Sequence, residues 1–272
     1  MRGLFTAGIL DTLMEEGVAF DGVVGVSAGA AFGINYVSRQ QGRTIRYNKR
    51  FARDWRYCSL RSWLKTGDLF GADFAYHEMP EKLDPFDNDA FESNPTAFHL
   101  VCTDVETGKP VYKRLDKGGH ETYDWVRASA SMPLVSRPVA IGGRLLLDGG
   151  ITDSVPLAYF EQEGYQRNLV VLTRPSDYRK GRNRLMPLMR LSLRKYPAML
   201  RAIETRHLMY NRQMEYVSRR EREGAALVLR PAAKLDIGHV CHDPDRMQAA
   251  YDIGRAEAIR QMDAIKAFLR QS

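Results

Sequence analysis

Cysteine is scarce in this chain: Cys58, Cys102 and Cys241 stand far apart, and no C-x-x-C pair occurs. A disulfide framework is excluded, and the three read as reduced thiols of a cytoplasmic protein. No apolar run reaches about eighteen residues, so no membrane-spanning helix is expected. A signal peptide is rejected as well, because apolar Leu4–Leu10 is followed at once by Asp11, Glu15 and Glu16, without a small-residue cleavage site. Internal repeats and low-complexity segments are missing. The histidines are His77, His99, His120, His207, His239 and His242, and only His239-Val240-Cys241-His242-Asp243 is a tight cluster. One such cluster without a second pair is a weak metal signal, so neither metal nor cofactor is expected.

What is present suffices for one large α/β domain, or one domain with an extension: 272 residues, 44% of them hydrophobic. The net charge of +7 is unevenly placed. Between Arg174 and Arg222 fourteen Lys or Arg face four acidic residues, a local net charge of +10. Such a stretch favours anionic partners, with a solvated helical surface as the plainer alternative. Nucleic acid is not expected, because no helix-turn-helix, zinc or RNA-binding signature accompanies the charge. Arg182, Arg184 and Arg190 interleave with Leu185, Met186, Leu188, Met189 and Leu191, a pattern that can lie on an anionic lipid surface. Pro187 interrupts any single helix there, which favours a packed helix pair.

Phe5, Ile9 and Leu13 recur at helical spacing, and Gly17 closes a helix over 3–16. Valine-rich 21–26 reads as a buried strand, followed by a helix to about Arg39. Residues 40–95 are aromatic, basic and poorly periodic, and read as helices with a long loop covering the site. Further strands are expected at 96–105, 110–115, 139–141, 144–147, 169–173 and 225–230. Gly142-Gly143 marks a hairpin, and a helix is expected over 123–131. Asp243-Pro244 starts a terminal helix with Met247, Tyr251, Gly254, Ala258, Met262, Ile265 and Leu269 on one face. The alternation implies an α/β fold with a mostly parallel central sheet and helices on both faces.

Gly25-Val26-Ser27-Ala28-Gly29 lies between that first strand and a run of small residues. It fits the G-x-S-x-G elbow, in which a serine nucleophile sits on a tight strand-to-helix turn. Such an elbow needs small neighbours, and Gly25 and Gly29 are expected to supply the room. The helix start offers free N–H groups beside the serine oxygen, with that of Ala28 as an oxyanion donor. A serine needs a base. Asp148 ends an apolar strand and is followed by Gly149-Gly150, where open α/β sheets place their ligands. An α/β-hydrolase triad would instead need a late histidine: His207, His239 or His242.

Ser27 and Asp148 together resemble the patatin-like phospholipase family, which pairs the serine of G-x-S-x-G with the aspartate of D-G-G or D-G-A. Ala128-Ser129-Ala130-Ser131-Met132-Pro133 looks like a third family segment ahead of the aspartate. The resemblance covers roughly residues 1–174. It implies a three-layer α/β/α catalytic domain, with 175–272 as a basic, mainly helical extension packed on it. It also implies lipid acyl-ester hydrolysis through a Ser-Asp dyad, on phospholipid or lysophospholipid. Family members carry an oxyanion loop, G-G-G-x-R-G, after a first strand. Here Met1-Arg2-Gly3 looks like its x-R-G remainder, with the triple glycine and that strand missing. Either Met1 is internal to a longer native chain, or a short, weakly active form is genuine; the first is preferred, because nothing else in the chain looks decayed. Arg2, Gly3 and Ala28 are then the oxyanion and substrate residues, and one lost donor costs about a hundred- to a thousand-fold in rate. Two other readings stay open: a catalytically impaired lipid-surface binder, and an esterase with a Ser-Asp-His triad.

Overall fold

The computed structural model describes residues 1–270. The first apolar spacing becomes α1 (Leu4–Glu15), with Phe5, Ile9 and Leu13 fully buried. Then come β1 (Gly22–Val26), α2 (Ala28–Val37), α3 (Arg43–Arg50) and α4 (Leu60–Thr66). A π-helical stretch (Phe74–Leu83) and α5 (Asn88–Ser93) lead to β2 (Ala97–Asp104), β3 (Pro110–Leu115) and α6 (His120–Ala130). The hairpin strands β4 (Val139–Ile141) and β5 (Arg144–Asp148) run into a 3₁₀ turn (Gly149–Ile151), α7 (Leu157–Gln162) and β6 (Asn168–Val171). The basic stretch forms α8 (Met186–Ser192) and α9 (Pro197–Arg222), followed by β7 (Ala226–Leu229) and α10 (Pro244–Arg270). Residues 40–95 are thus short helices more than a long loop, held by edge-to-face rings of Phe51, Tyr57, Phe70 and Phe74.

Helices cover both sides of the sheet, as expected for three layers. The pairing differs from the expected mostly parallel order. In the five-stranded sheet β1 and β2 are parallel, while β2–β3, β2–β5 and β4–β5 are antiparallel. For β2–β3 and β4–β5 the cause is loop length. The turn at Glu106–Lys109 and the left-handed pair Gly142-Gly143 are too short for a crossover, so each imposes an antiparallel neighbour. β6 and β7 form a separate two-stranded parallel sheet. Among the described residues β1 pairs with β2 alone, and its other edge carries no ladder.

The C-terminal segment shares the core with the N-terminal one. Leu229, Met247, Ala258 and Ile265 lie in the same buried cluster as Leu4 and Phe5. Helices α1 and α10 touch backbone to backbone. A Cβ on Gly8 would lie 2.1 Å from the Tyr251 carbonyl oxygen, and one on Gly254 would lie 2.0 Å from that of Phe5. The contact is tied by the Tyr251 hydroxyl, which donates to buried Asp11 Oδ2 at 2.7 Å. Asp243 caps α10, its carboxylate accepting from the Asp245 N–H at 2.9 Å.

Candidate active site

The register of β2 brings two distant motifs together. Its Phe98–Thr103 edge is taken by β3, so β1 and β5 share the other edge. β1 ends with Val26 opposite Val101, and β5 ends with Asp148 opposite Cys102. One runs parallel to β2 and the other antiparallel, so their C-terminal ends meet head-on, one residue apart along β2. Ser27 follows Val26 directly, and a strand advances only about 3.4 Å per residue, so Ser27 and Asp148 must be neighbours.

Ser27 has φ 56° and ψ −120°, a region that residues with a side chain rarely enter. The strain is held from two sides. Helix α2 returns so close over β1 that a Cβ on Gly25 would lie 2.5 Å from Ala30 N and Cα. The Ser27 N–H donates to Ser129 Oγ at 3.0 Å, and that hydroxyl donates to the Val101 carbonyl at 2.7 Å. The expected role of Gly29 is corrected: a Cβ there meets nothing within 4 Å, so no room has to be kept at that position. Ala28 opens α2, and the first N–H groups of a helix have no acceptor inside it. Gly3 stands against Ala28, with 2.8 Å from its would-be Cβ to that of Ala28.

Asp148 is buried, and its Oδ1 accepts from the Gly150 N–H at 2.7 Å. The Ser131 carbonyl takes its N–H at 2.8 Å and the Thr103 hydroxyl donates to its carbonyl at 2.9 Å, so the backbone is fixed on both sides. Burial pushes its pKa above the usual carboxylate value, against the opposing effects of Arg206, the facing Ser27 hydroxyl and the Gly150 N–H. Gly149 lies against the Val101 carbonyl, and Arg206 from α9 donates through Nε to the Gly150 carbonyl at 2.6 Å.

Ser129, Ser131 and Arg206 were not singled out individually from the sequence. The family-like Ala128–Pro133 segment was the signal for the first two: one of its serines braces the elbow, and the next holds the Asp148 backbone. Arg2 turns towards His239, with Nη2 and the imidazole Nε2 3.3 Å apart, and its own Nε is buried without a partner.

His207 and His242 are engaged by carbonyls away from Asp148, while His239 faces Arg2. His207 Nδ1 faces the Glu204 carbonyl on its own helix at 3.1 Å, and His242 Nδ1 faces the Ala52 carbonyl at 2.7 Å. Burial, Arg2 and the chain's amino group lower the pKa of His239 to about 4, which leaves its ring neutral. Elsewhere, His77, Glu81 and His120 bring donor atoms within 4.8 Å of one another. Their imidazoles are stacked at 3.9 Å, so the two ring planes do not converge on a common ion. Among the described residues no helix is long and apolar enough to cross a membrane.

Residues 1–161 match the family described as patatin-like phospholipase, and residues 196–270 match a domain of unknown function, DUF6363. The uncharacterized protein YjjU of Escherichia coli (strain K12) is 28% identical over 182 residues, which cover 65% of this chain and 50% of that protein. An uncharacterized NTE family protein of Mycobacterium tuberculosis is 27% identical over 157 residues, 58% of this chain and 42% of its own. Lysophospholipase nte1 of Aspergillus oryzae is 25% identical over 169 residues, 60% of this chain and 10% of its own. The chain thus spans half or less of the length of these relatives.

Proposed function

The chain belongs to the patatin-like phospholipase family, and from that membership we propose that it is a serine hydrolase of phospholipid or lysophospholipid acyl esters, working through Ser27 and Asp148. The observation that carries this reading is the head-on meeting of β1 and β5, with a strained serine on one end and a buried carboxylate on the other.

Ser27 Oγ attacks the acyl carbonyl while its proton passes to Asp148, directly or through a water. Burial makes that carboxylate a stronger base than a solvated one, which suits it to a serine proton. The negative charge on the carbonyl oxygen is met by the N–H groups of Ala28 and Gly3, helped by the positive end of α2. The intermediate collapses and expels the alkoxide, which takes the proton from Asp148. Water then attacks the acyl-serine, again giving its proton to Asp148, and Ser27 is regenerated as the fatty acid leaves. No histidine is needed, in accord with the separate hydrogen-bond partners of His207 and His242.

The test is labelling with a fluorophosphonate, located by mass spectrometry, together with turnover of a short acyl ester. The adduct is expected on Ser27, and Ser27→Ala and Asp148→Asn are each expected to abolish turnover. Turnover retained in either variant refutes the pair.

A cytoplasmic protein that meets its lipid at a membrane surface fits α8. Leu185, Leu188 and Leu191 are 50%, 54% and 70% exposed among Arg182, Arg184 and Arg190, while Met189 and Leu193 anchor the helix inward. Flotation with anionic vesicles is expected for the wild type and is expected to be lost in Leu188→Asp/Leu191→Asp. Flotation indifferent to both changes removes the membrane contact.

A further inference from the structure

The cations around the candidate site form no ion pairs among the described residues, and Asp148 is the carboxylate near them. On the surface of the C-terminal segment arginines pair with acids: Arg190 with Glu204, Arg220 with Glu161, Arg230 with Glu221. Among the described residues Arg2, Arg174, Lys180 and Arg206 make no such pair. Their contacts are neutral. Arg206 Nε reaches the Gly150 carbonyl at 2.6 Å, Arg2 faces the neutral ring of His239, and Arg2 Nε is buried with no acceptor. Arg174 lies 4.4 Å over the ring of Tyr178, and the Lys180 ammonium 5.2 Å over that of Tyr210. The two tyrosine rings are 6.0 Å apart, and Tyr210 sits one helical turn beyond Arg206 on α9, so Arg174, Lys180 and Arg206 close around one point. The Lys180 backbone is clamped to α9 by Asn211, at 2.9 and 3.1 Å. A cavity of about 450 Å³ opens beside them, sharing Arg174, Tyr178 and Tyr210.

Clustered, half-buried cations are costly unless an anion completes them. The cost is visible in Lys180, whose pKa falls to about 8 through burial and the nearness of Arg206, Arg2 and Arg174. Asp148 is the carboxylate that acts on this lysine, and it already serves Gly150 and Ser27.

We propose that Arg2, Arg174, Lys180 and Arg206 form a phosphate subsite beside Ser27, which holds the phosphate of the acyl-ester substrate while its carbonyl faces the serine. The assignment rests on the hydrolytic reading of Ser27 and Asp148. It gives the segment beyond residue 161 a part in choosing the substrate: uncharged esters lack the group that these cations bind, and phosphate-bearing ones are favoured.

The experiment has two arms, so that this proposal and the hydrolytic reading can fail separately. In the first, inorganic phosphate is titrated into the full-length Ser27→Ala protein by calorimetry, with and without Arg174→Gln/Lys180→Gln. That pair is chosen because Arg206 also holds the Gly150 backbone. Binding is expected to weaken by about 10- to 100-fold, the range for losing charge-assisted hydrogen bonds. Equal binding overturns the subsite. In the second, kcat/KM is compared for a lysophospholipid and an uncharged monoacylglycerol with the same acyl chain. The ratio of the two is expected to fall by about 10- to 100-fold in Arg174→Gln/Lys180→Gln. An unchanged ratio with weakened phosphate binding means that the cluster takes a free phosphate, which overturns the assignment to the substrate. If the wild type turns over neither ester, the hydrolytic reading fails, and the phosphate arm alone decides the subsite.

Discussion

Gly25→Ala and Gly29→Ala form a matched pair that separates motif from mechanism. Both glycines belong to the same five-residue motif, yet their surroundings differ. A methyl group on Gly25 would lie 2.5 Å from Ala30 N and Cα and 2.5 Å from the Gly29 carbonyl oxygen, all backbone atoms. An ordinary carbon contact needs about 3.5 Å, so α2 must move off β1 by roughly 1 Å. Overpacking of this kind costs about 1–3 kcal/mol. The same movement shifts the Ala28 N–H, the oxyanion donor of the mechanism proposed above, and about 1 Å of misplacement can cost a hundred-fold in rate. At Gly29 the methyl group meets nothing within 4 Å, and the backbone there is not left-handed. Alanine is the better helix former by up to about 1 kcal/mol, so Gly29→Ala is expected to be neutral or stabilising. Urea unfolding at constant m reads the stability of both variants, and the rate of fluorophosphonate labelling reads the geometry at Ser27. Gly25→Ala should lose both stability and labelling. Equal destabilisation by the two alanines would refute the close approach of α2 to β1.

Asp148→Asn should trade activity for stability. The folded pKa of Asp148 lies above its unfolded value, so burial of the charge costs stability at pH values above both, and the cost vanishes as pH falls below the ordinary carboxylate value. Thermal melts should therefore show the variant at least as stable as the wild type at pH 8, with the advantage shrinking towards pH 4; an advantage that grows on acidification would reverse the argument. Ser129→Ala orphans the Ser27 N–H and removes the bond to Val101. A loss of about 1–3 kcal/mol is expected in urea unfolding, with slower labelling of Ser27; unchanged labelling would mean that the elbow holds itself. Gly8→Ala and Gly254→Ala each force α1 and α10 apart, and each should cost about 1–3 kcal/mol. Because they act on one contact, the double variant should lose less than the sum, and strict additivity would count against a shared interface.

The local features were legible in the sequence because they depend on neighbours along the chain. The elbow around Ser27, the strand end at Asp148, the Gly142-Gly143 hairpin and the capped α10 all follow from spacing and turn chemistry. What was hidden depends on which edges pair. A mostly parallel sheet was expected, although the turns at 106–109 and 142–143 already imply antiparallel neighbours; the antiparallel β2–β5 pairing, which neither turn sets, is what delivers Asp148 to Ser27. Gly25 and Gly29 look equivalent as letters, and only what a side chain would meet at each distinguishes them. Arg206 lies 56 residues from Gly150 in a helix without a recognisable motif, so nothing local points to the carbonyl it holds.

The clasp between α1 and α10 bears on the order in which the protein is made. Its hydrogen bond joins residues 240 positions apart, among the longest loops that this chain closes. A nascent chain carrying the elbow and Asp148 still lacks the 27-residue helix that fixes α1, and with it the turn bearing Arg2 and Gly3. Distant contacts of this kind form late, because the entropy of closing the loop must be met first. Translation then sets an order of assembly: in the mechanism proposed above, the oxyanion side of the site is completed only after α10 has left the ribosome.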